Sequence, residues 1–436
     1  MSSAVRILFV SHNFPPTAGP ESSLVRLNTS WMLRAGFDLR VLTTTSSHAL
    51  QAMDASLMRG LPEDLVVVRQ LSPEAQLTTW FPRAGRWAAV TLGRRVLPEI
   101  FLPWVLPATR AGCRMVRDWS PQLIYSRAPK HVSNVVGWRL KRKTGLPWVA
   151  HFSDPWITAG LPHRRLQRLI GLPLERRILR DADALVFVTQ QAMDRVLKAY
   201  PASWRERARV IPHGYEEPAE VPGSQVRPPV AGPLMFIHAG AFYPGMRSPE
   251  TLIAALQKLH AIAPLDGRLV IQCIGDDSLS YRPRAEAAGL AGVVRFLPSI
   301  SFDECKVRIA ASHVSLIIDT PGYGGLFLPT KLFEAFGSKT AVLALTEPGS
   351  ALAGILERGE MPWADVRDPS RIADVIASLL ETWEKYRKAP TLGRREVIES
   401  HEIDCVNLPL ASLMKDLAAK AAPLQRFPSL PARVDQ

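Results

Sequence analysis

The sequence predicts an α/β protein with two doubly wound parallel-sheet domains facing each other across a cleft, and three observations carry that expectation. The chain has 436 residues, more than one hydrophobic core usually supports. Short, continuous apolar runs rich in β-branched residues alternate with helix-period segments, the pattern of strands covered on both faces by helices. That alternation runs to about residue 212, breaks, and starts again near residue 234.

Taken in order, VRILFVSH (5–12) is an apolar strand followed by a Pro/Gly loop, NFPPTAGP. A helix is predicted from Glu21, because Leu24, Leu27 and Trp31 carry the spacing of one buried stripe; Gly36 stops it. Further strands are expected at 37–43, 65–69, 122–126, 147–152, 184–189 and 208–212. Residues 216–233, EEPAEVPGSQVRPPVAGP, hold five prolines and two glycines without periodicity, the composition of a linker. Beyond it, strands are predicted at 234–239, 268–274, 292–297, 313–318 and 340–345. Helices are expected between them near 249–262, 281–289, 302–311 and 330–337, then at 370–388 and 405–420. The expected boundaries are therefore 1–215, a linker at 216–233, 234–400 and a helical tail at 401–436 that frays at its end. Ligands of open α/β sheets bind outside the carboxyl ends of the strands, so the cleft is the expected site.

Composition narrows the function classes. Apolar residues at 47% and charged residues at 21% are ordinary for a folded protein and argue against disorder. Cys113, Cys273, Cys305 and Cys405 lie far apart, without disulfide or zinc spacing, as expected in a reducing compartment. The opening MSSAVRILFVSHNF lacks a leader pattern, and no run of about 18 apolar residues occurs, so a cytoplasmic chain is expected.

The net charge of +13 is concentrated. Between Phe81 and Arg180 there are nineteen Lys/Arg and four Asp/Glu. Within that zone Trp80, Phe81, Trp87, Phe101 and Trp104 intermingle with Arg83, Arg86, Arg94 and Arg95. Aromatics beside cations suit an anionic membrane surface or a phosphorylated lipid carrier. A buried helical hairpin with solvated arginines accounts for the same residues equally well. Nucleic acid is not expected as a partner, since no nucleic-acid motif accompanies the charge.

Two segments of the second half carry the chemistry. In HAGAFYPGMRSPETL (238–252) a strand ends, Gly240 permits a sharp turn, and Arg247 precedes a helix opened by Ser248 as cap and Pro249. An Arg at a sheet's carboxyl edge can clamp a diphosphate, or be a solvated loop residue. In PGYGGLFLPTKLFEAFG (321–337), Pro329-Thr330 opens a helix whose first turn holds Lys331. Backbone N–H groups and an ammonium there favour phosphate oxygens. Glu334 shares Lys331's face and suits a ribose diol; a plain surface ion pair is the alternative.

These residues, with RILFVSHNFPP…G, HFSDPW (151–156), VIPHGYEE (210–217) and LPTKLFEAFGSKTAVLAL, resemble the retaining glycosyltransferases of family 4 with the GT-B fold, over nearly the whole chain. The resemblance is to the branch with a P-[ST]-K-L-[FY]-E helix start. It implies a donor site of Gly19, Gly240, Arg247, Thr330, Lys331 and Glu334, with Glu334 on the ribose and Arg247 on the diphosphate. It implies that His151 and Asp154 orient the acceptor or take part in catalysis; a buried, satisfied histidine and a helix cap before Pro155 are the alternatives. His213 and Tyr215 sit at the junction with structural and functional readings open. The tail helix is implied to cross back to the first domain.

Two departures are visible. Leu326 stands where many members have the first Glu of a Glu-x7-Glu pair, and Arg247 lacks an accompanying Lys. The expected reaction is transfer of a sugar from a nucleoside diphosphate sugar to a glycan or lipid-linked hydroxyl with retention, in bacterial surface polysaccharide synthesis. No cofactor is expected, and with neither a D-x-D-type pair nor His/carboxylate metal spacing read in the sequence, no metal is expected. A sugar-nucleotide epimerase of the same architecture and a non-catalytic sugar-nucleotide-binding protein are the other two readings.

Overall fold

A computed structural model describes residues 4–45, 52–71, 93, 95–158, 163–217, 226–323, 325–388 and 390–420. By its internal contacts the chain divides into two units. Met1–Phe187, Met193–Ile211 and the chain from Leu408 make the first; Val188–Ala192 and Pro212–Asn407 make the second.

The first unit runs β1 (Arg6–Val10), α1 (Pro20–Arg34), β2 (Asp38–Thr44), β3 (Val66–Gln70), α2 (Val105–Trp119), β4 (Leu123–Ala128), α3 (Val132–Thr144), β5 (Trp148–Phe152), α4 (Arg165–Asp181), β6 (Ala184–Phe187), α5 (Gln190–Leu197) and β7 (Ala208–Val210). The strands form one parallel sheet in the order β3-β2-β1-β4-β5-β6-β7. Chain order reverses between β1 and β4, where Ile7 pairs with Leu123. β4 and β5 are buried at every position, Ser126, Arg127 and His151 included, as expected of central strands covered on both faces. Trp148 is fully buried and donates to Ser126 Oγ at 2.8 Å, so its indole N–H is satisfied within the core.

The second unit runs β8 (Leu234–Ala239), α6 (Glu250–Ile262), β9 (Leu269–Ile274), α7 (Arg282–Ala287), β10 (Val294–Leu297), α8 (Phe302–Ala310), β11 (Val314–Ile318), α9 (Thr330–Gly337), β12 (Ala341–Thr346), α10 (Ala351–Arg358), β13 (Trp363–Asp365), α11 (Pro369–Tyr386), α12 (Arg395–Glu399) and α13 (Ile403–Ala419). Its sheet is also parallel, in the order β10-β9-β8-β11-β12-β13. The reversal here lies between β8 and β11. Each unit is thus doubly wound, and each sheet has a topological switch point at which ligands are expected outside the carboxyl edge.

Local details differ from expectation in three places. Ser248 is not a helix cap: Pro249 occupies that position, and the Ser248 hydroxyl turns to the Glu250 carboxylate. The helix expected at 281–289 is a 3-10 turn, Ser278–Tyr281, continued by the short α7, after Asp277 adopts a left-handed conformation (φ 60°). The chain joins the second unit at Pro212, ahead of the expected 216–233 linker, of which residues 218–225 lie outside the described residues. Aromatic packing accounts for this last difference. His213 stands edge-on to Phe333 and Tyr215 edge-on to Phe336, and the Tyr215 backbone bonds to His401 and Ile403.

Candidate functional site

In the second unit a polar cluster forms where β8 and β11 deliver their carboxyl ends. β8 ends in His238 and Ala239, and Gly240 follows with φ 154°, its N–H donating to the Ile274 carbonyl. A Cβ at Gly240 would lie 2.3–2.4 Å from Lys331 Cε and Nζ, so the lysine side chain lies directly over this bare backbone. Only glycine permits that approach.

Lys331 sits in the first turn of α9, one residue after Thr330, where the helix N-terminus already favours an anion. Burial and then Arg247 lower the pKa of its ammonium, against Glu334, Cys305 and Asp319, to about 8. Arg247 is presented by a hairpin closed by two bonds, Tyr243 N–H to Arg247 carbonyl and the reverse, both 2.8 Å. Its guanidinium lies over the Tyr243 ring at 5.7 Å, and its buried Nε has no hydrogen-bond partner among the described residues. Glu334, on the same helix, has its carboxyl raised by burial and held down by Lys331 and Lys306.

Two members of this cluster went unread in the sequence. His238 is fully buried; its Nδ1–H donates to the Leu316 carbonyl at 2.9 Å, which leaves Nε2 as a bare acceptor with no partner among the described residues. Burial, then Lys331 and Arg247, hold this imidazole far below its ordinary pKa, so it is neutral. Asp319 follows β11 and is 6% exposed; its carboxylate accepts from Thr320 N–H and from Thr346 Oγ1. Burial raises its pKa, opposed by those bonds and by Arg247 and Lys331. The sequence signal for both was their place one step from a strand's carboxyl end. Two cations, an unfilled acceptor and a helix N-terminus converge here, an arrangement suited to an anionic, hydroxyl-bearing ligand. Leu326, by contrast, is buried and offers nothing polar.

The first unit has its own cluster at its switch point. Gly19 (φ 118°) stands at the N-terminus of α1, with open space where a side chain would be. Glu21, in the first turn of α1, is 7% exposed and lies 3.3 Å from Arg127, itself 2% exposed at the end of β4. Burial pushes the Glu21 carboxyl up to about 8; Arg127 opposes this and Asp154 adds to it. Of the two expected residues after β5, His151 is only 2% exposed: its Nδ1 is 2.6 Å from the Tyr125 hydroxyl and its Nε2 3.2 Å from Arg127. Asp154 is half-buried and electrostatically coupled to Glu21. The structure therefore gathers His151, Asp154, Glu21 and Arg127. Glu21 and Arg127 were missed because their pairing spans more than a hundred residues.

Only part of the basic, aromatic zone lies among the described residues. Trp104 is fully buried and donates to the Gln70 carbonyl, and Phe101 packs on His12. Trp80, Phe81, Arg83, Arg86, Trp87 and Arg94 lie outside the described residues. Asp181-Ala182-Asp183 does spell D-x-D, but it leads into β6 at the sheet's amino edge. There Asp183 accepts from Trp148 N–H and Lys141, and Asp181 from Trp138 and Arg180. Among the described residues no group of three His, Cys, Asp or Glu is placed to hold a metal.

Comparison with known proteins follows the same lines. Residues 22–214 match the glycosyl transferase 4-like domain family. A sucrose-phosphate synthase from Thermosynechococcus elongatus is similar in structure over 95% of this chain and 99% of its own, with a TM-score of 0.65 at 19% identity. The lipopolysaccharide outer core galactosyltransferase WaaB is similar over 94% of this chain and 100% of its own, with a TM-score of 0.57 at 12% identity. A UDP-N-acetylglucosamine 2-epimerase is also similar, over 98% and 100%, with a TM-score of 0.51 at 12% identity. No curated protein matches the sequence. Residues 22–214 are thus similar to the glycosyl transferase 4-like domain family, and the chain's two parallel-sheet units have the fold of the GT-B proteins.

Proposed function

We propose that the protein transfers a sugar from a nucleoside diphosphate sugar to a hydroxyl of a glycan or lipid-linked acceptor, with retention and without a metal. The observation that carries this reading is the convergence of Arg247 and Lys331 on the glycine-lined start of α9. As the sugar–phosphate bond breaks, charge develops on the diphosphate. Two fixed cations and the helix N-terminus stabilise that charge without reorganisation. Thr330 contributes its backbone N–H at the helix start, Gly240 allows close approach, Glu334 receives the ribose diol, and Gly19 leaves room for ligand beside α1. In the first unit Asp154 orients the acceptor hydroxyl, and His151, enclosed by Tyr125 and Arg127, holds that edge in place. The setting is bacterial surface polysaccharide or lipid-linked glycan assembly, with the protein on the inner face of the membrane.

A thermal-shift panel of UDP, GDP, TDP, ADP and CMP tests the donor site. One diphosphate at a hundredfold excess over its Kd should stabilise the wild type by about 2.7 kcal/mol, and Glu334→Ala much less. An equal shift in the variant removes the ribose role. Turnover should survive EDTA nearly unchanged; abolished activity would overturn the metal-independent mechanism. Formation of epimerised sugar nucleotide without acceptor would instead favour the epimerase reading.

A further inference from the structure

We propose that the helical layer α2–α3–α4 of the first unit is a docking surface for an anionic lipid bilayer, with Leu166 and Leu169 entering the headgroup region. This deepens the membrane-side location above by assigning the contact to one surface, distinct from the aromatic segment that the sequence suggested.

The three helices form one layer, with α3 packed between α2 and α4. At the α2–α3 contact a Cβ on Gly112 would lie 2.8 Å from the Leu140 methyls. At the α3–α4 contact Trp138 donates to Asp181 at 2.8 Å, and Arg177 lies over the Trp138 ring. These helices hold twelve Lys/Arg and three Asp/Glu, a net +9 of the chain's +13. One of the three acids, Glu175, is fully buried and turned inward, accepting from Ile157 and Thr158. Among the described residues, ion pairs involve only two of the twelve cations, Lys141 with Asp183 and Arg180 with Asp181. A fold gains nothing by concentrating repelling cations on one face, so the face matches an external polyanion.

The apolar side chains on the same layer decide between polyanions. Leu169 is 71% exposed, Leu106 48% and Leu166 46%. Leu166 and Leu169 are three residues apart on α4 and flanked by the exposed Arg165 and Arg168. A nucleic-acid backbone takes up the arginines and offers nothing to the leucines. A bilayer interface takes both: anionic headgroups for the cations and the acyl boundary for the leucines. No described helix is long and apolar enough to cross a membrane, so the contact is peripheral. Leu166 and Leu106 both lie in the first turn of their helices, beside the sheet's carboxyl edge, so docking there would bring a lipid-linked hydroxyl toward Asp154.

The test is co-sedimentation of the full chain with vesicles of phosphatidylglycerol and phosphatidylcholine, against phosphatidylcholine alone. Binding is expected only to the anionic vesicles, and it should weaken in 0.5 M salt. The variant Arg165→Gln/Arg168→Gln/Arg176→Gln/Arg177→Gln should bind at least about 50-fold more weakly, since each basic residue near the surface contributes a several-fold factor. Leu166→Ser/Leu169→Ser should bind about tenfold more weakly while keeping its salt sensitivity. Wild-type binding by the leucine variant, indifference to lipid charge, or capture of RNA without vesicle binding would each overturn the proposal. A nucleoside diphosphate thermal shift retained in both variants shows that they fold. It also separates this proposal from the donor site, because loss of that shift in the wild type with vesicle binding intact would sink only the transfer reading.

Discussion

Lys331→Met is expected to weaken binding of a nucleoside diphosphate by roughly two to three orders of magnitude, because it removes a half-buried cation from a desolvated anion site. Methionine keeps the length and packing over Gly240, so the loss reports charge and not a cavity. The site also sets a pH dependence. The Lys331 ammonium is held down to about 8, and the diphosphate binds its charged form; wild-type affinity should therefore fall as pH rises through about 8. Lys331→Arg, whose guanidinium does not deprotonate, should flatten that profile even if its geometry costs affinity. Calorimetric titration at several pH values reads both effects. Affinity unchanged in Lys331→Met, or a wild-type profile flat from pH 7 to 9.5, would show that this ammonium does not touch the phosphates.

Arg127→Met is expected to be the most destabilising single change in the first unit. Above about pH 8, where Glu21 is ionised, removing its buried partner costs about 3–5 kcal/mol, because the remaining charge has no partner. For a unit of this size that corresponds to a fall in Tm of roughly 6–20 °C. The sign of its pH dependence follows from Glu21. Its folded-state pKa is raised to about 8, so stability linked to its proton is complete in acid and is lost as pH rises through about 8. Without Arg127 the carboxyl titrates higher still, and the deficit should grow from pH 6 to pH 9. Glu21→Gln, which mimics the protonated form, should be tolerated at pH 6. Thermal denaturation at the two pH values checks this, and a deficit that shrinks in alkali would disprove the coupling.

What the sequence made legible were properties of contiguous segments. The buried strands announced themselves as apolar runs, and the start of α9 as Pro-Thr-Lys after glycines, since both depend on near neighbours in the chain. Burial and pairing across the sheet were not legible. His151 reads in sequence as a polar residue at a cleft, but Tyr125 and Arg127 on the neighbouring strand enclose it. Trp104 reads as an interfacial aromatic until β3 supplies the carbonyl that its indole N–H needs. The charge of the Phe81–Arg180 zone was readable as a total, but its sorting onto one helical layer depends on which faces of α2, α3 and α4 point inward.

The final helix has a consequence for how the protein is made. α13 begins in the second unit, but from Leu408 it belongs to the first, where Leu410 and Met414 are fully buried. The first unit is therefore missing part of its core when the ribosome has completed residue 211. It must wait for the nearly two hundred residues of the second unit to be translated, about 10–40 s at ordinary elongation rates. During that interval the surface destined for Leu410 and Met414 is open, and a chain released early would carry that exposed patch into the cell.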